Sequence, residues 1–246
     1  MIAKRLWALA LAGACTFTPA LADVARQNEF VEANIINAFY HELGHALIDT
    51  MELPVLAREE EAADAFSVLL IDELWPPEQA EWLSRDSARG WALSAATYKG
   101  QGTELWQIYA LDMQRYYNAV CLWYGADPKK RRAFADDHAL PRERAETCAD
   151  EYYQSHKSWF GLLVHAMRNA PGDALVYEGD QSDEVGRIIK REIDRVNAHF
   201  KFPRRIRVVV ESCNEANAYY ELGTRRIQIC REYADSFRQM ARDSQM

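Results

Sequence analysis

His41-Glu42-Leu43-Gly44-His45 constrains this chain more than any other short stretch. Two histidines four apart share a face only on a helix, and both imidazoles can then reach one metal ion. Glu42 stands beside the first of them, placed to contact a metal-bound water as a base without becoming a ligand. The flanks agree with a helix: Phe30, Val31, Ile35, Phe39, Leu43, Leu47 and Met51 recur largely at spacings of three and four, with no proline between them. Gly44 is the one glycine of that run. It gives up about 1 kcal/mol of helix propensity relative to alanine, which points to another element passing close at that turn. An amphipathic core helix with two merely hydrogen-bonded histidines has the same pattern, so a metal site needs a third ligand.

Arg58-Glu59-Glu60-Glu61-Ala62-Ala63-Asp64 opens a second helical stretch that runs to about Leu74, where Trp75-Pro76-Pro77 stops it. Leu53-Pro54 separates the two helices, and Pro54 suits a first helical turn. A chain that doubles back near 52–53 sets position 45 level with 60 and 41 level with 64. Glu60 then completes a His41–His45–Glu60 site for one Zn2+, leaving a fourth position for water. Asp64, one turn on, is placed to orient His41 from behind. Glu59 and Glu61 are rivals of Glu60, which the i+4 spacing to Asp64 favours. Glu59 reads instead as part of a solvated acidic start matching the helix dipole. Ala62 and Ala63 allow close packing.

With these residues assembled, the chain resembles the gluzincin group of zinc peptidases, in which HExxH is followed by a downstream Glu-x-x-x-Asp helix. It is still more similar to a bacterial family known as "putative metallopeptidases", a domain of unknown function. The shared features begin with His41 to His45 and with Leu53-Pro54 before the acidic Ala-Asp helix. They continue through Gln114-Arg115-Tyr116-Tyr117-Asn118 to Cys121, Tyr124-Gly125-Ala126-Asp127-Pro128, and Leu140-Pro141 to Cys148. Cys213-Asn214-Glu215-Ala216-Asn217-Ala218-Tyr219-Tyr220 to Cys230 completes them, so the likeness spans about residues 28–235. It implies a zincin-like helix pair, a peptide or protein substrate, and hydrolysis through a zinc-bound water with Glu42 as general base. The alternatives are an exported, catalytically silent zinc protein that binds a partner, and a disulfide-stapled helical module without metal. The intact Glu42 argues against a silent site. A group stabilising the oxyanion is expected from another element. His138, His156, His165, His199, Tyr109, Tyr116 and the Tyr219–Tyr220 pair are candidates, and no spacing selects among them.

Met1-Ile2-Ala3-Lys4-Arg5, an apolar core from Leu6 to Phe17, and Ala20-Leu21-Ala22 before Asp23 make residues 1–22 an expected signal peptide. The apolar stretch is too short to span a bilayer, so no transmembrane helix is expected. Ala12-Gly13-Ala14-Cys15 is an imperfect lipoprotein signal that lacks leucine three residues before Cys15. The expected product is periplasmic or extracellular. Loss of the leader removes Cys15 and leaves Cys121, Cys148, Cys213 and Cys230, an even number in an oxidising compartment. Cys121–Cys148 with Cys213–Cys230 is the most local of the three pairings.

Residues 23–246 then form about one domain's length, read as a single zincin-like domain with a helical insertion at about 78–199. The net charge of −8 argues against a nucleic-acid partner, and Lys129-Lys130-Arg131-Arg132 reads as a solvated helix face. Helices are expected at 28–51, 58–74, 78–97, 102–124, 129–137, 141–169 and 181–199. Strand signals come late, at Arg205–Glu211 and Arg225–Arg231, with Leu222-Gly223-Thr224 as the turn between them. The fold class is therefore α+β and mostly helical, with a small C-terminal hairpin or sheet folded back over the helix of the two histidines. Asn217, Tyr219 and Tyr220 fall near its edge.

Overall fold

The computed structural model describes residues 19–97, 106–164 and 171–245, with side chains from Asp23 onward. The expected leader, Cys15 and His165 lie outside these residues, apart from the backbone of 19–22. Helix α1 (Pro19–Thr50) carries both histidines and is deeply enclosed over residues 30–50. Phe30, Val31, Ile35, Ile36, Phe39, Tyr40, Leu43, Ala46 and Leu47 are all fully buried, more than one stripe of a helix can supply. Such a helix needs neighbours on several sides, and α1 has them: α2 (Glu59–Leu74), α3 (Pro77–Thr97), α8 (Glu184–His199), α9 (Glu232–Asp243) and two strands all pack on it.

Helices α4 (Asp112–Ala126), α5 (Arg132–Asp137), α6 (Arg142–Ala145) and α7 (Cys148–Leu163) form the intervening helical segment. Two expected helices are corrected here. Of the expected helix 102–124, the described residues 106–111 are not helical; α4 starts at Asp112, where Gln114 Oε1 accepts from the Leu111 N–H at 3.1 Å. The expected helix 141–169 is interrupted at 146–147. Thr147 there bonds locally to Arg144 O and Glu151, the side-chain competition that makes threonine a helix boundary. Within the basic run, Arg131 is not solvated: it donates to Asp72 and to Trp123 O, and stacks 3.6 Å over the Trp123 ring.

The four strands described form one mixed sheet in the order β1 (Leu175–Tyr177), β2 (Ile206–Glu211), β4 (Arg226–Cys230), β3 (Ala218–Glu221). β1 and β4 both run parallel to β2, and β3 pairs antiparallel with β4 at the sheet edge. The expected pairing of 205–211 with 225–231 as a hairpin is thus wrong in direction, although the two strands are neighbours. The hairpin is formed by β3 and β4. Alternating Ile and Val residues reveal that a strand has a buried face, but not which strand it joins. β3 and β4 pack on α1, and Tyr220 of β3 donates to Asp49 Oδ2 at 2.6 Å, one turn beyond His45. Disulfides join Cys121 to Cys148, from α4 to α7, and Cys213 to Cys230, from beyond β2 to the end of β4.

Behind the histidines, Glu192 of α8 is fully buried and accepts from Tyr40 Oη at 2.9 Å, Arg191 Nε at 3.0 Å and Arg195 Nε at 3.1 Å. A buried carboxylate is tolerable only when its acceptor sites are filled in this way. Because Tyr40 directly precedes His41, this network anchors α1 to α8 next to the site.

Candidate metal centre

α1 and α2 pass each other in opposite directions, as the contacts of position 45 with 59–60 and of 41 with 64 require. Gly44 explains how closely they pass. A Cβ built on it would lie 3.1 Å from Ala63 Cα and 3.3 Å from Phe66, so the element implied by that glycine is α2.

Three atoms converge where the helices meet. His41 Nε2 and His45 Nε2 are 3.1 Å apart, and Glu60 Oε2 lies 3.2 Å from the first and 3.5 Å from the second. Tetrahedral ligands at zinc distances are separated by roughly 3.3 Å, so the triangle has the size of one face of such a site. Glu60 Oε2 is buried and has no hydrogen-bond donor aligned on it. A buried carboxylate oxygen facing two ring nitrogens, with no donor aligned on it, is the gap that a cation fits. His41, His45 and Glu60 are also the one such His/Cys/Asp/Glu group found among the described residues.

The outer nitrogens of both rings meet carboxylates. His45 Nδ1 donates to Glu59 Oε1 at 2.7 Å. Glu59, expected to be a solvated helix start, therefore holds the second histidine. His41 Nδ1 lies 2.8 Å from Asp64 Oδ1, a hydrogen-bond distance although the N–H is off the line of contact. An ionised carboxylate can only accept, so Glu59 and Asp64 favour a hydrogen on each Nδ1, and with a metal bound each Nε2 can offer it a lone pair. Asp64 is in turn held by Arg115 of α4, whose Nε and Nη2 donate to Oδ2 and Oδ1 at 2.7 and 2.5 Å. Neither spacing nor periodicity marked Arg115; only its charge and its place in the Gln114–Asn118 motif set it apart.

Electrostatics follow from this crowding. Burial alone would lower the His41 pKa, but Asp64, Glu60 and Glu42 outweigh it and raise it to about 9. Burial would raise Glu60, yet the neighbouring His41 and His45 outweigh it and bring it down to about 2. Glu42 is buried, and that burial pushes its pKa up against the opposing pull of His41 and His45. Of the oxyanion candidates, Tyr109 lies beside the cluster: burial, then Glu60 and Glu42, raise its pKa. Tyr233 of α9, which the sequence did not single out, is pushed to about 12 by burial and also feels Arg115 and Glu42. Several of the other described candidates are engaged elsewhere. Tyr116 donates to His138 O, His156 faces the Tyr152 and Phe160 rings, His199 bonds Arg195 O, and Tyr220 is committed to Asp49.

These shifts set opposite pH responses for the two forms of the protein. Without metal, the His41 contribution to stability is complete below its ordinary value of 6.5 and is lost as pH rises through about 9. The Glu60 contribution is complete above its ordinary 4.5 and is lost as pH falls towards about 2. Melting of chelator-treated protein is therefore expected to be highest near pH 4.5–6.5 and to decline from 6.5 to 9. With zinc the ligands must be deprotonated, so stability should rise over that same upper interval. Parallel melts with zinc and with chelator check it; curves that move together would show that these residues do not hold the metal.

The chain matches the family described as "Putative metallopeptidase" over residues 17–163 and 181–246. No curated protein and no solved structure gives a match. The matched stretches include both histidines, the acidic start of α2, Arg115 and strands β2 to β4, so site and supports are covered alike, and the chain belongs to the family described as "Putative metallopeptidase".

Proposed function

We propose that the protein is an exported zinc peptidase of the gluzincin HExxH type, with His41, His45 and Glu60 as metal ligands and Glu42 as general base. One observation carries the reading. Two imidazole Nε2 atoms and an orphaned Glu60 Oε2 converge at the edge lengths of a tetrahedral site, beside a buried carboxylate, Glu42, that is not one of the three. A His-His-carboxylate donor set suits zinc with one open position. A metal held there supplies Lewis-acid polarisation of water and of the scissile carbonyl.

The remaining steps belong to the chain. Glu59 and Asp64 keep both rings in the tautomer with Nε2 free. Glu42 takes the proton of the attacking water and delivers it to the leaving amine; a carboxylate whose pKa is raised by burial is better suited to giving the proton back near neutral pH. Edge strand β3, packed along α1, offers backbone groups with which an extended peptide can pair. Residues 23–246 act as one domain, with 1–22 as a leader. Two disulfides suit an exported protein, and among the described residues no helix is long and apolar enough to cross a membrane.

Metal-stripped wild type is expected to take up one equivalent of zinc and then to cleave members of a diverse peptide library that includes cell-wall peptides. Glu60→Gln should weaken zinc by at least about 100-fold, beyond the loss of an outer partner. Failure of wild type to bind zinc rejects the reading. Zinc binding without any cleavage favours the silent, partner-binding alternative.

A further inference from the structure

We propose that Arg115 is a positioning residue of the metal centre, acting through Asp64 on His41, so that helix α4 of the intervening segment is part of the site. The inference rests on the metal site proposed above.

One carboxylate oxygen carries the argument. Asp64 Oδ1 is 2.5 Å from Arg115 Nη2 and 2.8 Å from His41 Nδ1, while Arg115 Nε takes Oδ2 at 2.7 Å. The fork of the guanidinium fixes the carboxylate plane as a lysine could not, because an ammonium is a point charge with no preferred plane. What remains of Oδ1 faces the His41 ring. With Arg115 against it, Asp64 remains an anion that can only accept; this favours a hydrogen on His41 Nδ1, whose N–H lies off the line of the contact, and leaves Nε2 to face a metal.

Arg115 is itself held. Its guanidinium lies 3.5 Å over the Trp91 ring of α3, and its side chain is only 9% exposed. Three helices therefore meet at this cation: α2 through Asp64, α3 through Trp91 and α4 through Arg115. The charge balance gives a second reason for it. Glu42, Glu59, Glu60 and Asp64 bring four carboxylates to one small site, and Arg115 is a fixed cation beside them that is not a metal ligand. A pair serving only to tie α4 to α2 would be a poor investment, since apolar residues often replace a buried ion pair without loss. The distinguishing property is thus metal affinity rather than stability.

The test uses the full chain with Arg115→Lys, Asp64→Asn and the double variant. Asp64, Trp91 and Arg115 border a cavity of about 240 Å³ with mixed polar and apolar walls that also reaches Asn37, Ser67 and Ser84, which leaves room for a lysine at 115. Zinc affinity is read by competition with a chromophoric chelator, and ligand geometry by the visible absorption of the cobalt-loaded protein. Each single variant is expected to bind zinc about tenfold more weakly. The double variant should bind no more weakly than Asp64→Asn, because Arg115 acts through that carboxylate. The cobalt spectrum of Arg115→Lys should move as that of Asp64→Asn does. Should Arg115→Lys not fold, Trp91→Leu is compared in the wild-type and Asp64→Asn backgrounds, and should weaken zinc only in the first. Wild-type affinity in Arg115→Lys, losses that multiply in the double variant, or an equal effect of Trp91→Leu in both backgrounds overturns the proposal alone. A wild-type chain that binds no zinc overturns the proposed function as well.

Discussion

Glu42→Gln is expected to leave zinc bound and to slow hydrolysis of a true peptide substrate by about 10²–10⁴. Glutamine keeps the shape and the hydrogen-bonding reach of the side chain but cannot accept and return a proton. Zinc should stay because the converging atoms belong to His41, His45 and Glu60, with Glu42 outside the triangle. A second consequence separates this variant from ordinary core damage. Burial raises the pKa of Glu42, so its charged form is the one disfavoured in the folded chain. That cost sets in as pH rises above the ordinary value of 4.5, is complete above the folded pKa, and disappears when the group can no longer ionise. Metal-free Glu42→Gln should therefore melt no lower than wild type, a common relation between active-site groups and stability. Full activity in the variant, or loss of its zinc, would defeat the assignment of Glu42 as a base.

How much of this was visible before the structure depended on sequence distance. The helix of His41 and His45 is a pattern within one element, and periodicity exposes such patterns directly. The return of the chain into α2 was legible because one short connection, Leu53-Pro54 within it, leaves an antiparallel hairpin little freedom. Gly44 pointed to the close pass of α2, and Ala63 is what a side chain there would meet. Arg115 was not legible. It lies 51 positions beyond Asp64, and nothing in the spacing of a guanidinium says which carboxylate it will take. Glu59 was misjudged because a run of three acids at a helix start satisfies the helix dipole whichever partner each later finds. The sheet was half legible: its strands announced themselves, but β3 is four residues long, sits in a turn-rich stretch, and captures the hairpin that β2 was expected to make. Pairing direction is a tertiary property that alternation of side chains does not encode.

Ending the chain after Asn197 is expected to abolish stable folding of the metal site, even though no proposed ligand is removed. The cut deletes β2, β3, β4 and α9, all of which lie beyond residue 197. Helix α1 then loses the partners of one whole side: Phe237 of α9, which meets the Phe30 ring edge-on at 6.2 Å, Tyr220, which holds Asp49, and the strands that pack on it. A helix buried all round cannot keep that apolar surface in water, since each large side chain uncovered forfeits about 1.5–3 kcal/mol against a net stability of about 5–15 kcal/mol. Far-UV circular dichroism, proteolysis and zinc content of a 23–197 fragment measure the outcome. Phe237→Ala in the intact chain separates lost packing from general truncation damage. It removes one buried ring facing Phe30 and Tyr233 and should cost about 3–5 kcal/mol, with the three ligands untouched. A protease-resistant 23–197 fragment that binds zinc with wild-type affinity would mean that α1 and α2 make the centre without the C-terminal sheet, and that the late strands serve the substrate rather than the fold.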